Sequence, residues 1–280
     1  MGKKFQIELG GKTVVITGAG GVICGAIARE LASSGANLAL LDLNEEAAAA
    51  VAADINSAGG KAKAYKCNVL DKSSLLAVRD AVEKDFGLCD ILVNGAGGNN
   101  PRATTDNEFC LPDVKVGKDF FALEDGGVRF VFELNFIGTF LPTQVFVEKM
   151  VGRKGCSVLN ISSMNAYTPL TKIPAYSAAK AGISNFTEWL AVHFAPAGIR
   201  VNAIAPGFFV TNQNRALLFD KDGAPTARTD KILRATPMGR FGEVSEIMGA
   251  VKLLLNDEEA SFITGVVVPI DGGFNAYSGV

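Results

Sequence analysis

Seven short apolar runs, separated by six stretches with helical periodicity, recur from one end of this chain to the other. They are Thr13–Thr17, Asn37–Asp42, Lys63–Val69, Asp90–Asn94, Cys156–Ile161, Arg200–Ala205 and Gly265–Ile270. Strands that are apolar on both sides have no face to give to water, so they must lie in a parallel sheet covered by helices on both faces. The intervening helical segments are Val22–Ser34, Glu45–Asn56, Lys72–Phe86, Val128–Val151, Ala175–Phe194 and Val244–Leu255. Glycines end the first two, at Gly35 and Gly59. The alternation therefore predicts an α/β doubly wound sheet, and one domain over residues 1–280. Two excursions break the rhythm, at 97–121 and 211–242, each leaving the carboxyl end of a strand. Ligands bind at that end of such sheets, so both are expected to be substrate loops.

Composition narrows the function. The 27 basic residues nearly balance 29 acidic ones, leaving a net charge of −2 and no basic footprint for nucleic acid or an anionic membrane. Five scattered cysteines without a Cys-x-x-Cys pair point to reduced thiols in the cytoplasm. One histidine, His193, cannot build a histidine-rich metal site, so no metal is expected. Residues Met1–Gln6 lack the apolar core of a signal peptide, and no uninterrupted apolar run is long enough to span a bilayer.

The first strand runs into Thr17-Gly18-Ala19-Gly20-Gly21-Val22-Ile23-Cys24-Gly25, a glycine-rich turn opening a helix. Such a turn lets a pyrophosphate approach the backbone N–H groups at the helix N-terminus, and it marks Gly18, Gly20, Gly21 and Val22 as cofactor contacts. Asp42 ends the second strand, 24 residues after Gly18, where a carboxylate would accept bonds from ribose hydroxyls. Neither Leu43 nor Asn44 offers a cation for a 2′-phosphate. The expected cofactor of this Rossmann-type fold is therefore NAD rather than NADP.

Tyr176 and Lys180 stand four residues apart, on one face of a helix. Bringing a phenol from about 10 to about 7 requires roughly 4 kcal/mol. An ammonium about 5 Å away contributes roughly 3 kcal/mol at an effective dielectric near ~20. A positively charged oxidised nicotinamide is expected to supply the rest. Ser162 and Ser163 end the fifth strand, and only one of an alternating pair can face the site. Asn135 interrupts an apolar helical pattern with an amide.

Thr17-Gly18…Gly25, Asn94-Gly95-Ala96-Gly97, Asn135, Ser163, Tyr176-x-x-x-Lys180, Pro206-Gly207 and Asp271-Gly272-Gly273, in this order, resemble the short-chain dehydrogenase/reductase superfamily over essentially the whole length. The resemblance selects Ser163 over Ser162 to hold the substrate oxygen beside Tyr176. It implies that Asn135 holds a water leading from Lys180 to solvent. It also implies that Asn94, Gly95 and Ala96 brace the cofactor turn and that Asn68 and Val69 border the adenine. Pro206, Gly207, Phe209 and Thr211 are then expected to meet the nicotinamide carboxamide. Two departures stand out: the family pattern puts glycines where Val22 and Cys24 occur, and an aspartate where Asn68 occurs. Phe186, Trp189 and Phe194 give their helix more apolar surface than one sheet needs, and by resemblance imply a homotetramer, with a dimer as second choice.

More narrowly, Gly97-Gly98-Asn99-Asn100-Pro101, Thr104–Phe109, Ser163-Met164-Asn165-Ala166 and Pro206-Gly207-Phe208-Phe209 resemble the bacterial D-mannonate oxidoreductase (fructuronate reductase) subgroup. A sugar acid needs a cation for its carboxylate, with Arg102, Lys172 and Arg215 as candidates, and amides such as Asn99, Asn100 and Asn165 for its hydroxyls. The alternatives are a neutral polyol, ketose or 3-oxoacyl substrate, and, more remotely, a regulator that binds the dinucleotide without turnover.

Overall fold

The computed structural model describes residues 6–112, 117–211 and 215–279, without the side chains of Ala216 and Leu217. Its centre is a seven-stranded parallel sheet in the order β3-β2-β1-β4-β5-β6-β7. The strands are β1 (Thr13–Thr17), β2 (Asn37–Asp42), β3 (Lys61–Lys66), β4 (Ile91–Asn94), β5 (Ser157–Ile161), β6 (Arg200–Pro206) and β7 (Val267–Ile270). Every residue of β1, β4, β5 and β6 is buried, as two-sided coverage demands. β3 lies at one edge and differs: Lys61, Lys63 and Lys66 are exposed, and edge lysines discourage pairing with another chain. It begins two residues before the expected run and ends at Lys66, which leaves Val69 beyond the strand.

Alternation along each strand feeds two cores. Val14, Ile16, Leu38 and Leu40 pack with Ile27 and Leu31 of α1 (Val22–Ser33), Val51 and Ile55 of α2 (Glu45–Ser57), and Val251 and Leu254 of a C-terminal helix (Met248–Leu255). On the other face, Val15, Leu41 and Leu92 meet Leu75 and Val82 of α3 (Lys72–Phe86). The same core receives Phe146 and Leu190 from the helices after β4 and β5.

Those helices are α4 (Asp125–Phe132), α5 (Gly138–Val147) and α6 (Pro174–Phe194), with Glu133–Ile137 forming a π-turn between α4 and α5. The continuous run Asp125–Val147 has the length and hydropathy to cross a bilayer, but half of its most apolar window is buried inside the fold. Sequence periodicity anticipated one helix over 128–151; the π-turn at its middle carried no signal in apolar spacing. After β6 come two short helices unseen in the apolar pattern, α7 (Arg215–Leu218) and α8 (Ala227–Arg234), and then α9 (Met248–Leu255). α8 has only Thr229 and Ile232 buried, so no apolar stripe announces it.

Candidate active site

β1 and β4 are neighbours at the centre of the sheet, with the chain winding away from them in opposite directions. The crevice above this switch point is where a doubly wound sheet takes its ligand. Gly18 sits there at φ +67°, and an added Cβ would lie 2.9 Å from the Cα of Ala96. Only glycine fits. The Gly20 N–H donates to Asp42 Oδ2 at 2.9 Å, and the Asn44 N–H donates to Asp42 Oδ1 at 2.9 Å. Asp42 thus fixes the turn while each carboxylate oxygen keeps a second lone pair. Thr17 Oγ1 accepts from the N–H groups of Gly95 (3.1 Å) and Ala96 (3.2 Å), tying the ends of β1 and β4 together.

Both glycine departures have a structural answer. Val22 begins α1 just after the Gly21 cap and keeps its side chain partly exposed at the helix N-terminus. Cys24 is buried against Gly95, where a Cβ would overlap its sulfur. Bulk added on α1 is matched by bulk withheld after β4. Burial pushes the Cys24 thiol up to about 12, against a smaller downward pull from Lys180. Asn68 is exposed and its Oδ1 accepts from the Leu70 N–H at 3.0 Å, while Val69 is buried beside Gly138.

Asn94 and Asn135 lie beneath the crevice. Asn94 Nδ2 donates to Thr143 Oγ1 and to Asn160 Oδ1, both at 2.9 Å, and Asn160 Nδ2 donates to Thr187 Oγ1 at 2.9 Å. This buried chain runs from α5 through β4 and β5 to α6, so the Asn94 side chain braces helices rather than facing the crevice. Asn135 is fully buried in the π-turn. Its amide donates to the carbonyls of Gly98 and Val131 at 2.7 Å each, and its Oδ1 accepts from the Gly98 N–H at 3.2 Å. Both side-chain donors are therefore committed, so a water beside Asn135 would donate to a remaining lone pair of Oδ1 or of the backbone carbonyl. Widened helical turns recur at functional sites, and this one delivers the amide to Gly97 and Gly98.

β5 and α6 bring Ser163, Tyr176 and Lys180 together. Ser162 Oγ bonds Ser184 Oγ at 2.8 Å and donates to the Lys180 carbonyl, turning away from the crevice. Ser163 faces the Tyr176 phenol and favours its ionised form. Burial dominates, however, and holds the phenol above its ordinary value. Burial likewise lowers Lys180 to about 8. Its Nζ donates to the Ile161 carbonyl at 2.7 Å and lies 5.7 Å from the Tyr176 ring centre. Burial is the largest influence on both groups, upward on the phenol and downward on the ammonium.

Ser163, Asn165, Tyr176 and Gly207 line a cavity of about 160 Å³, together with Phe208 and Arg228. The Asn165 Oδ1 is buried with no hydrogen-bond partner. Of the three expected cations, Arg102 pairs with Glu124 at 3.5 Å and Arg215 lies 5.5 Å over the Phe219 ring. Neither lines this cavity. Lys172 lines the adjoining one. Asn99 donates to Thr104 Oγ1, and Asn100 Oδ1 accepts from the Arg102 N–H, so both amides shape their own loop. The Phe209 ring is buried against Gly242. Pro206 ends β6, the Gly207 N–H donates to the Ile270 carbonyl at 2.9 Å, and Thr211 borders residues outside the described set. Arg228 is the residue that sequence reasoning missed. It lies within the excursion 211–242, but on a helix without an apolar stripe to reveal which way it faces.

The family model for short chain dehydrogenases matches residues 12–221. The chain belongs to that family. This dehydrogenase is 61% identical over 98% of its length to an oxidoreductase of Haemophilus influenzae that is itself uncharacterised, 96% of which is covered. It superposes with a TM-score of 0.95, at 60% identity and 98% coverage of both chains, on a crystal structure from Haemophilus influenzae solved with bound NAD and described provisionally as a D-mannonate oxidoreductase. A D-threitol dehydrogenase of Mycolicibacterium smegmatis is 34% identical, over 96% of this chain and 95% of that one.

Proposed function

We propose that this dehydrogenase interconverts the secondary alcohol and ketone of a sugar acid with NAD, D-mannonate and D-fructuronate being the pair favoured. The observation that carries it is the cavity where Ser163 and Tyr176 share a wall with an arginine. At Gly18 and Gly20 a Cβ would collide with Ala96 and Ala47, so glycine keeps the turn tight at the α1 N-terminus, which fits the phosphates of a dinucleotide. Asp42 would hold the adenosine ribose, and a 2′-phosphate there would meet its carboxylate, which disfavours NADP. When bound, NAD supplies or accepts the hydride.

The chain's own residues handle the proton. Burial keeps the Tyr176 phenol protonated at neutral pH, so it is prepared to donate to the oxygen of a ketone held by Ser163. Lys180, at about 8, can lose or gain a proton near physiological pH and so exchange with Tyr176. Asn135 holds the Gly97-Gly98 turn beside Lys180 and would position the water that reaches it. The same reading makes the enzyme a cytoplasmic homotetramer. The ring sequence Phe140, Phe186, Trp189 and His193 supports assembly, with Trp189 more than half exposed.

A panel of uronates, polyols and ketoses followed at the NADH absorbance tests the substrate class. Turnover of D-fructuronate well above D-fructose or threitol is the expected result. Preference for a neutral polyol would favour the second reading, which the likeness to a D-threitol dehydrogenase supports.

A further inference from the structure

We propose that Arg228 is the residue that binds the substrate carboxylate, at the throat between the catalytic cavity and a cationic vestibule. This rests on the sugar-acid reading and replaces Arg102 and Arg215 as its cation. Two cavities meet here, one of about 160 Å³ around Tyr176 and one of about 310 Å³ outside it. Leu170, Phe208 and Arg228 line both. Of these three, only Arg228 is charged, and it forms no ion pair within 4 Å with a described residue.

The vestibule shows why its charge remains available. Lys172, Arg228 and Lys231 surround one carboxylate, that of Glu108. Lys231 takes it directly, at 2.8 Å. Glu108 is held below the usual carboxylate range first by that bond, with weaker contributions from Lys172 and Arg228. The remaining two cations have no anion of their own among the described residues, so the approach to Tyr176 carries positive charge. Such a funnel draws anions inward.

Placement distinguishes Arg228 from Lys172. Lys172 lines only the outer space, its backbone at φ +75° and its carbonyl accepting the Thr105 N–H at 2.8 Å. Of the described cations, Arg228 alone lines the cavity of the reacting phenol. A planar guanidinium can grip a carboxylate through two parallel N–H bonds and so fix which carbon of a flexible chain faces Tyr176. The buried Asn165 Oδ1, unpartnered on the same wall, is suited to accept from a substrate hydroxyl.

The test uses the full chain with NADH and two ketones, D-fructuronate and the uncharged D-fructose. Arg228→Gln should raise KM for fructuronate about 50-fold, the loss expected of a charge-assisted bond, and leave KM for fructose within about twofold. NADH affinity, read by fluorescence, should not move. Arg228→Lys keeps the charge but not the paired N–H bonds and should recover only part of the fructuronate affinity, and Arg102→Ala should leave both KM values unchanged. If wild type prefers fructuronate and Arg228→Gln keeps that preference, Arg228 is not the reader, although the sugar-acid function stands. If wild type shows no preference for the acid, the functional reading falls and this proposal falls with it.

Discussion

The two halves of the crevice are built by different means. On the β1–β2 side the work is done by backbone: glycines that must lack a Cβ, N–H groups held by Asp42 and Thr17, and a helix N-terminus. Beyond β5 and β6 it is done by side chains: Ser163, Tyr176, Asn165 and Arg228. A constant ligand can be met by a fixed turn. A substrate that differs from one relative to the next is met by side chains on long excursions, which change without disturbing the sheet.

The sharpest separation of the halves comes from Tyr176→Phe, expected to lower kcat about 1,000-fold or more while leaving NAD affinity as it was. Equal loss in both quantities, by stopped-flow and fluorescence titration, would show that the halves are not separable. Asp42→Ala should act in reverse, weakening NAD roughly 10- to 100-fold and erasing its preference over NADP, with kcat at saturation largely kept. An unchanged coenzyme ratio in steady-state assays would remove Asp42 from ribose recognition.

Two changes probe the seam. Gly95→Ala forces a methyl group against the Cys24 sulfur, and overpacking of this kind costs about 1–3 kcal/mol. The double variant Cys24→Gly, Gly95→Ala should regain most of it in denaturant melts, whereas additive losses would deny the exchange of volume. Lys180→Met should remove activity yet stabilise the cofactor-free protein by roughly 1–3 kcal/mol at pH 7. Lys180 is lowered to about 8 from 10.5, so between those values the unfolded chain binds more protons than the folded one. Wild-type stability therefore rises with pH through that window, and the advantage of Lys180→Met should shrink towards pH 10. A constant gap between the two melting curves would contradict the burial of that charge.

The same contrast governs what could be read from the amino-acid order. Alternating apolar runs disclosed the sheet because two-sided burial permits few other residues. Gly18, Asp42, Tyr176 and Lys180 stood out through spacing, which is one-dimensional information, and Ser163 through the family resemblance. Arg228 did not, because α8 is held by Thr229 and Ile232 alone and no periodicity orients it. The π-turn at Asn135 was equally silent: one extra residue per turn depends on where the amide finds Gly98, a contact 37 positions distant. The weight of burial on Tyr176 was hidden for a related reason. Charge separation can be estimated from a helix, but burial belongs to the packed whole.

The amide pair at the heart of the sheet, Asn94 against Asn160, acts as a key in a lock. Sliding β5 one residue along β4 would break the bond between the two amides in a dry interior, a penalty of about 1–3 kcal/mol. Misaligned sheets are thereby rejected during folding, before any ligand is present to reward the correct one.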